Sequence, residues 1–192
     1  AVCSLQPHGC THQTNKKVAM SNTAMTPEQQ TAYNTALEKI EACRRSRKKT
    51  LKLNGLGLSQ LPPEIGQLRT LTTLDLASNQ LSNLPKEIGQ LKALTTLRLG
   101  RNQLSSLPEE IGQLTALTEF HLDTNQLSSL PEEIGQLSVL RMFFLGNNPL
   151  RSVPPEIGQL TDLRLLFLNN NQLSGLTKEI GLLTRSEEHT PA

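Results

Sequence analysis

The 192-residue sequence is poor in the features of disulfide-bonded or membrane-spanning proteins. Its three cysteines, Cys3, Cys10 and Cys43, are an odd number and do not form a framework of pairs, which favours a reducing compartment. No apolar run approaches the length of a membrane span, and the first residues are too polar for a signal peptide. We therefore predict a cytoplasmic protein with no membrane partner.

Clustered positive charge is also absent from most of the chain. Residues 1–50 carry eight Lys or Arg against three Glu, whereas residues 51–184 carry ten basic and twelve acidic groups. A protein that binds nucleic acid usually has a basic face, so we expect no nucleic-acid partner. No G-x-x-x-x-G-K-[ST] phosphate loop occurs either, which excludes nucleotide binding by that mechanism in this chain.

The sequence does contain a phrase that recurs every 23 residues. Its cleanest copy is LTTLDLASNQLSNLPKEIGQLKA, residues 71–93. Four further copies follow at 94–116, 117–139, 140–162 and 163–185, and an eroded copy precedes them at 48–70. A fixed period of this length indicates stacked structural repeats.

The pattern L-x-x-L-x-L-x-x-N-x-L, continued by L-x-x-L-P-x-E-I-G-x-L, resembles the leucine-rich repeat. It is similar to the 23-residue class found in many bacterial proteins and in Ras-group-related eukaryotic scaffolds. The resemblance implies an α/β solenoid, curved as a right-handed horseshoe segment. A parallel β-sheet would line its concave face, with short helical or 3-10 turns on the convex face. The resemblance also implies no cofactor and no catalytic residues.

Four segments are predicted: a leader over 1–25, a capping helix over 26–47, six repeats over 48–185 and a tail over 186–192. Thr26 and Gln29 fit a capping box, and Pro27 fits the first helical position. A stack of repeats exposes its core at each end, so a terminal helix would cover it. The apolar residues at helical spacing are Tyr33, Leu37, Ile40 and Cys43.

The leader holds two cysteines and two histidines at close spacing, namely Cys3, His8, Cys10 and His12. Structural zinc sites normally have ligand pairs that bracket a folded turn, and no such pattern surrounds these residues, so we favour no metal site. We interpret Met20 or Met25 as the start of translation. The tail string RSEEHT resembles a translated sequencing adapter. An ordinary polar terminus is the alternative, but we favour the adapter because no second cap follows the sixth repeat.

The basic run from Arg44 to Lys49 has two interpretations. It could be a nuclear address or a polyanion contact, or it could stabilise the dipole at the end of the capping helix. We favour the second. The acidic pairs Glu109–Glu110 and Glu132–Glu133 are assigned to a solvated convex face rather than to catalysis.

An asparagine recurs between apolar positions in five copies. It could form a polar binding stripe, but a buried amide needs hydrogen-bond partners, so we predict a structural ladder inside the solenoid. The ladder consists of Asn79, Asn102, Asn125, Asn148 and Asn171.

Outward-facing strand positions vary between copies and can therefore carry specificity. The last two copies place Met142, Phe144, Leu165 and Phe167 there, whereas Phe120 and Phe143 fall at inward positions. Aromatic and methionine side chains beside arginine are typical of interface hot spots. The alternatives are that exposed apolar residues are common on any surface or that later repeats cover some of them, but we favour a partner site because two aromatics are adjacent. The predicted partner-binding residues are Asp75, Arg98, His121, Arg141, Met142, Phe144, Arg164, Leu165 and Phe167. Loss of either exposed ring should lower partner affinity with little change in melting temperature.

Two functions remain open from the sequence. The first is a monomeric scaffold that binds a protein, such as a small GTPase or another signalling protein. The second is the recognition module of a larger bacterial protein with a Ras-like GTPase domain downstream, since residues 36–68 look like the front of such proteins. A bacterial effector ubiquitin ligase fits less well, because those arrays use shorter repeats and a separate catalytic cysteine domain.

Overall fold

A computed structural model describes residues 25–175, and the elements below belong to that range. It contains one α-helix, α1 (Pro27–Ser46), six strands and five 3-10 helices. The strands are β1 (Thr50–Lys52), β2 (Thr73–Asp75), β3 (Thr96–Arg98), β4 (Glu119–His121), β5 (Met142–Phe144) and β6 (Leu165–Phe167). The 3-10 helices are Pro63–Gln67, Lys86–Gln90, Glu109–Gln113, Glu132–Gln136 and Pro155–Gln159. The predictions for the leader cluster, for Met20 and for the adapter-like tail lie outside the described residues.

The beginning and the end of α1 follow from local sequence. The Thr26 hydroxyl accepts a hydrogen bond from the Gln29 amide at 3.3 Å, and the Gln29 side chain accepts one from the Thr26 amide at 3.0 Å. These two bonds satisfy amide groups that the first turn leaves free. The helix ends where Arg47 adopts φ 50°, and the Lys48 amide then bonds back to the Cys43 carbonyl.

The buried face of α1 differs from the predicted one. Ala32 and Ala36 are buried together with Ile40 and Cys43, whereas Tyr33 and Leu37 are only partly buried. The two alanines are four residues apart and therefore lie on one face. Both alanines belong to the same core cluster as the leucines of the first repeat, so α1 contributes small side chains to that core.

The six strands form one parallel sheet in sequence order, and each strand pairs with the next at an offset of 23 residues. The offset between paired residues of neighbouring strands is therefore equal to the repeat length in the sequence. Alternation along each strand sends the central residue inward and its two neighbours outward. The inward residues, including Leu74, Leu97, Phe120 and Phe143, belong to one continuous core that also holds Ile40 and Cys43 of α1.

The recurring asparagine lies inside the solenoid and bridges adjacent repeats. The side chain of Asn102 accepts a bond from the Leu81 amide at 3.0 Å and donates to the carbonyls of Leu76 and Leu99. Asn79 starts the ladder and bonds to the amides of Leu56 and Leu58. Four of these amides are buried and Asn171 is partly exposed. The asparagines therefore hold loop backbone rather than face a partner.

The glycine of the E-I-G phrase is explained by close contact between repeats. A β-carbon added to Gly112 would lie 2.5 Å from the backbone oxygen of Glu133 in the next repeat. Gly89 has the same relation to Glu110, at 2.6 Å. Distances this short are sterically forbidden, so a residue without a side chain is required where the 3-10 helices stack.

Candidate partner-binding face

The concave face is built from the outward side chains at each end of the short strands. One row across the sheet contains Lys52, Asp75, Arg98, His121, Phe144 and Phe167. A second row contains Thr50, Thr73, Thr96, Glu119, Met142 and Leu165. Along both rows the character changes from polar and charged in the first four repeats to apolar in the last two.

The charged half is joined by internal contacts. Glu119 lies 2.5 Å from the His121 Nε2 atom and 3.3 Å from Arg98 Nη2. Asp75 instead accepts a hydrogen bond from the Ala77 amide at 3.1 Å. Both acidic residues of the two rows, Glu119 and Asp75, therefore already accept hydrogen bonds from within the chain. Beside them is a shallow depression of about 180 Å³, lined by Ala77, Ser78, Arg98, Gly100, Arg101, His121 and Asp123.

The environment of Glu119 favours its ionised form. Partial burial alone would raise the pKa of this carboxyl group, but the hydrogen bonds from His121 and Arg98 lower it, and so do their charges. The net effect is a pKa below the usual range. Glu119 therefore remains a carboxylate that can hold both neighbouring side chains in place.

The apolar half contains a stack of three rings across β4, β5 and β6. The rings of His121 and Phe144 have centroids 4.2 Å apart and an interplanar angle of 7°. Phe144 and Phe167 follow at 4.9 Å and 7°. Phe167 is 43% exposed and its strand neighbour Leu165 is 45% exposed. We call Met142, Phe144, Leu165 and Phe167 the apolar patch.

Two arginines border the apolar patch. Arg141 and Arg164 immediately precede β5 and β6, and both are exposed. Neither forms an ion pair with any residue within 25–175, whereas Arg44, Arg45 and Arg98 do. The remaining aromatic pair behaves differently, because Phe120 and Phe143 are fully buried, with ring centroids 5.4 Å apart.

Glu119 was not among the partner-binding residues predicted from the sequence. Its position two residues before His121 on one strand puts both side chains on the same face, and β3 brings Arg98 beside them. That spacing was the available signal. The acidic pairs at Glu109–Glu110 and Glu132–Glu133 open two of the 3-10 helices, away from this face.

The basic run begins in the last turn of α1, and its arginines have two different roles. Arg44 and Arg45 both bind Glu41 within the helix, at 2.7 and 2.9 Å, whereas Arg47 forms the left-handed C-cap. Within residues 25–175, no cluster of three or more His, Cys, Asp or Glu side chains is arranged to hold a metal ion. No helix in the described part of the chain has the length and apolar character that a membrane crossing requires.

Comparisons with known proteins identify the fold family. The family described as "Leucine-rich repeat region" matches residues 33–125, and "Leucine rich repeat" matches residues 115–173. Comparison with curated proteins gives no match.

Among solved structures, a leucine-rich repeat protein of Leptospira interrogans is 45% identical, with a TM-score of 0.60 over 69% of this chain and 40% of that one. The ectodomain of the plant receptor kinase GASSHO1/SCHENGEN3 from Arabidopsis thaliana is 36% identical, with a TM-score of 0.64 over 72% and 18%. YopM from Yersinia enterocolitica is 28% identical, with a TM-score of 0.63 over 81% and 32%. The chain thus spans less than half of each of these proteins. The repeat phrase, the parallel ladder and these matches agree that the chain belongs to the leucine-rich repeat family.

Proposed function

We propose that this chain is a non-enzymatic protein-interaction module that binds a protein partner on its concave face. The observation that carries the proposal is the stack of partly exposed Phe144 on exposed Phe167, beside partly exposed Met142 and exposed Leu165. Removal of an apolar surface of this kind from water by a partner stabilises the complex. Large rigid rings are also well suited to this, since they lose little conformational freedom on binding.

The charged residues of the same face would act as a polar rim. Arg141 and Arg164 border the apolar patch, and Asp75, Arg98 and His121 continue the row toward the N-terminal repeats. Rim charges affect orientation and association rate more than affinity. The GASSHO1/SCHENGEN3 ectodomain is described in complex with CASPARIAN STRIP INTEGRITY FACTOR 2, which supports a binding role for arrays of this family.

The test is capture of partner protein by the intact chain, compared with the double variant Phe144→Ala/Phe167→Ala. We expect the double variant to lose the captured protein. A matched control is Val139→Ala, which also shortens a partly exposed apolar side chain but lies outside the concave face. Equal capture by the double variant and the wild type would show that the partner does not use this patch.

The second candidate places the same binding face in a larger bacterial signalling protein with a Ras-like GTPase domain. The resemblance of residues 36–68 to the front of such proteins supports it. Sequencing of the gene beyond the codon for Thr184 tests it. A phosphate-loop motif in the same frame is expected, and a stop codon or further repeats alone would contradict it. The cytoplasmic location and the monomeric state remain predictions.

A further inference from the structure

Two arginines lie next to the apolar patch in the chain. Arg141 and Arg164 immediately precede the neighbouring strands β5 and β6, and the Arg164 amide donates a hydrogen bond to the Arg141 carbonyl at 2.9 Å, so their backbones are adjacent. Both side chains are exposed and form no ion pair with a residue in the described range. Asp162 precedes Arg164 by two residues and is exposed, but it also forms no ion pair within residues 25–175.

The nearest acidic group on the concave face is already engaged. Glu119 is held by His121 and Arg98, so its carboxylate already has two side-chain partners where the apolar patch begins. The patch therefore presents apolar side chains beside two arginines that form no ion pair within residues 25–175. A partner that is basic at this position would be repelled, whereas carboxylates would find free guanidinium groups.

We infer that the apolar patch with Arg141 and Arg164 binds an acidic segment of a partner protein, in which apolar side chains stand next to Asp or Glu. The apolar side chains pack on Phe144, Phe167, Met142 and Leu165, and the carboxylates pair with the two arginines. This inference rests on the proposed function and specifies the chemistry of the partner.

The test uses two synthetic peptides as probes. Both carry alternating Leu and Phe, interleaved with Glu in one peptide and with Lys in the other, and binding is followed by fluorescence anisotropy of a labelled peptide. We expect the Glu peptide to bind about tenfold more tightly, as two exposed ion pairs would give. Raising the salt concentration should reduce this ratio, because exposed charges are screened.

Variants locate the effect. Arg141→Gln/Arg164→Gln should bring the two peptides to similar affinity. Arg151→Gln, an exposed arginine in the loop after β5, serves as the matched control and should leave the ratio unchanged. Phe167→Ala should weaken both peptides by the same factor, because it removes only the apolar contact.

Several results would overturn the inference. These are equal or tighter binding of the Lys peptide, no binding of either peptide, or a Glu preference that survives the loss of both arginines. Dimerisation that Phe167→Ala abolishes in sedimentation velocity would show that a second copy occupies the patch, and would also overturn it. The proposed function is tested independently of this inference, because it requires only that Phe144→Ala/Phe167→Ala no longer captures the partner protein. That result can hold without any charge preference.

Discussion

Phe143 and Phe144 are consecutive residues of β5, yet their rings lie on opposite sides of the sheet. Phe143 is fully buried and stacks on Phe120, whereas Phe144 faces outward between His121 and Phe167. The same chemical group therefore serves the core at one position and the surface at the next. Under the proposed function, this pair would separate core stability from partner binding within a single strand.

We predict that Phe143→Ala lowers the free energy of unfolding by about 3–5 kcal/mol, because it leaves a cavity in a packed core. Phe144→Ala and Phe167→Ala should each cost only about 1 kcal/mol, the scale of a lost ring stack. Urea unfolding followed by circular dichroism measures all three. A loss for Phe167→Ala as large as that for Phe143→Ala would mean that this ring belongs to the core.

The asparagine ladder should contribute strongly to stability. Asn102→Ala leaves the buried Leu81 amide without its partner, and the Leu76 and Leu99 carbonyls each lose one of the two asparagine side chains that donate to them. We expect the free energy of unfolding to fall by about 1–3 kcal/mol. Gln103→Ala is the control, since its exposed side chain is next in sequence. Equal midpoints for the two variants in urea would contradict a structural role for Asn102.

The stacking glycines should tolerate no side chain. Gly112→Ala places a β-carbon against the Glu133 backbone, and we expect a loss of about 1–3 kcal/mol as the repeats are forced apart. Gly175→Ala is the matched change, because an added β-carbon there meets nothing within 4 Å. Thermal unfolding of the two variants makes the comparison. Similar melting temperatures would show that the repeats can adjust at this contact.

The stability of α1 should depend on pH through the ionisation of Glu41. Its hydrogen bonds to Arg44 and then Arg45 lower the pKa of Glu41 to about 2. Since the unfolded value is about 4.3, the stabilisation is fully present above that pH and is lost as the pH falls toward 2. The pair is exposed, so the effect should be small and should weaken in salt.

The measurement is the melting temperature of wild type and Glu41→Gln between pH 7 and pH 2. The difference between the two proteins should be present at pH 7 and should vanish near pH 2. Glu38→Gln, in the same helix and outside every ion pair of residues 25–175, should show no such trend. A difference for Glu41→Gln that persists at pH 2 would exclude the ion pairs as its source.

Periodicity predicted the fold because each repeat position has one role. The offset of 23 residues gives the strand register directly, and a buried amide that recurs at one position must find backbone partners. The same logic placed Phe144 and Phe167 side by side on the outer face. These features depend on local spacing, and spacing is visible in a sequence.

Features that depend on packing between unlike elements were less predictable. The apolar spacing of α1 predicted a buried face with Tyr33 and Leu37, but the helix buries Ala32 and Ala36 in the core and leaves those two residues partly exposed. Likewise, the role of Glu119 depends on contacts from His121 and from Arg98 on a neighbouring strand. When each position is considered alone, the sequence does not reveal that Glu119 connects His121 with Arg98.

The constant register has a further consequence for how the face can change. Because every repeat meets the next through the same offset, removing residues 94–116 would bring the second repeat against the fourth with an equivalent pairing of strands and asparagines. Asp75 would then stand beside His121, and the charged row would be one residue shorter. Duplication or loss of a whole unit could thus rearrange the outward side chains of the sheet in one genetic event, while the pairing of strands and asparagines would be retained.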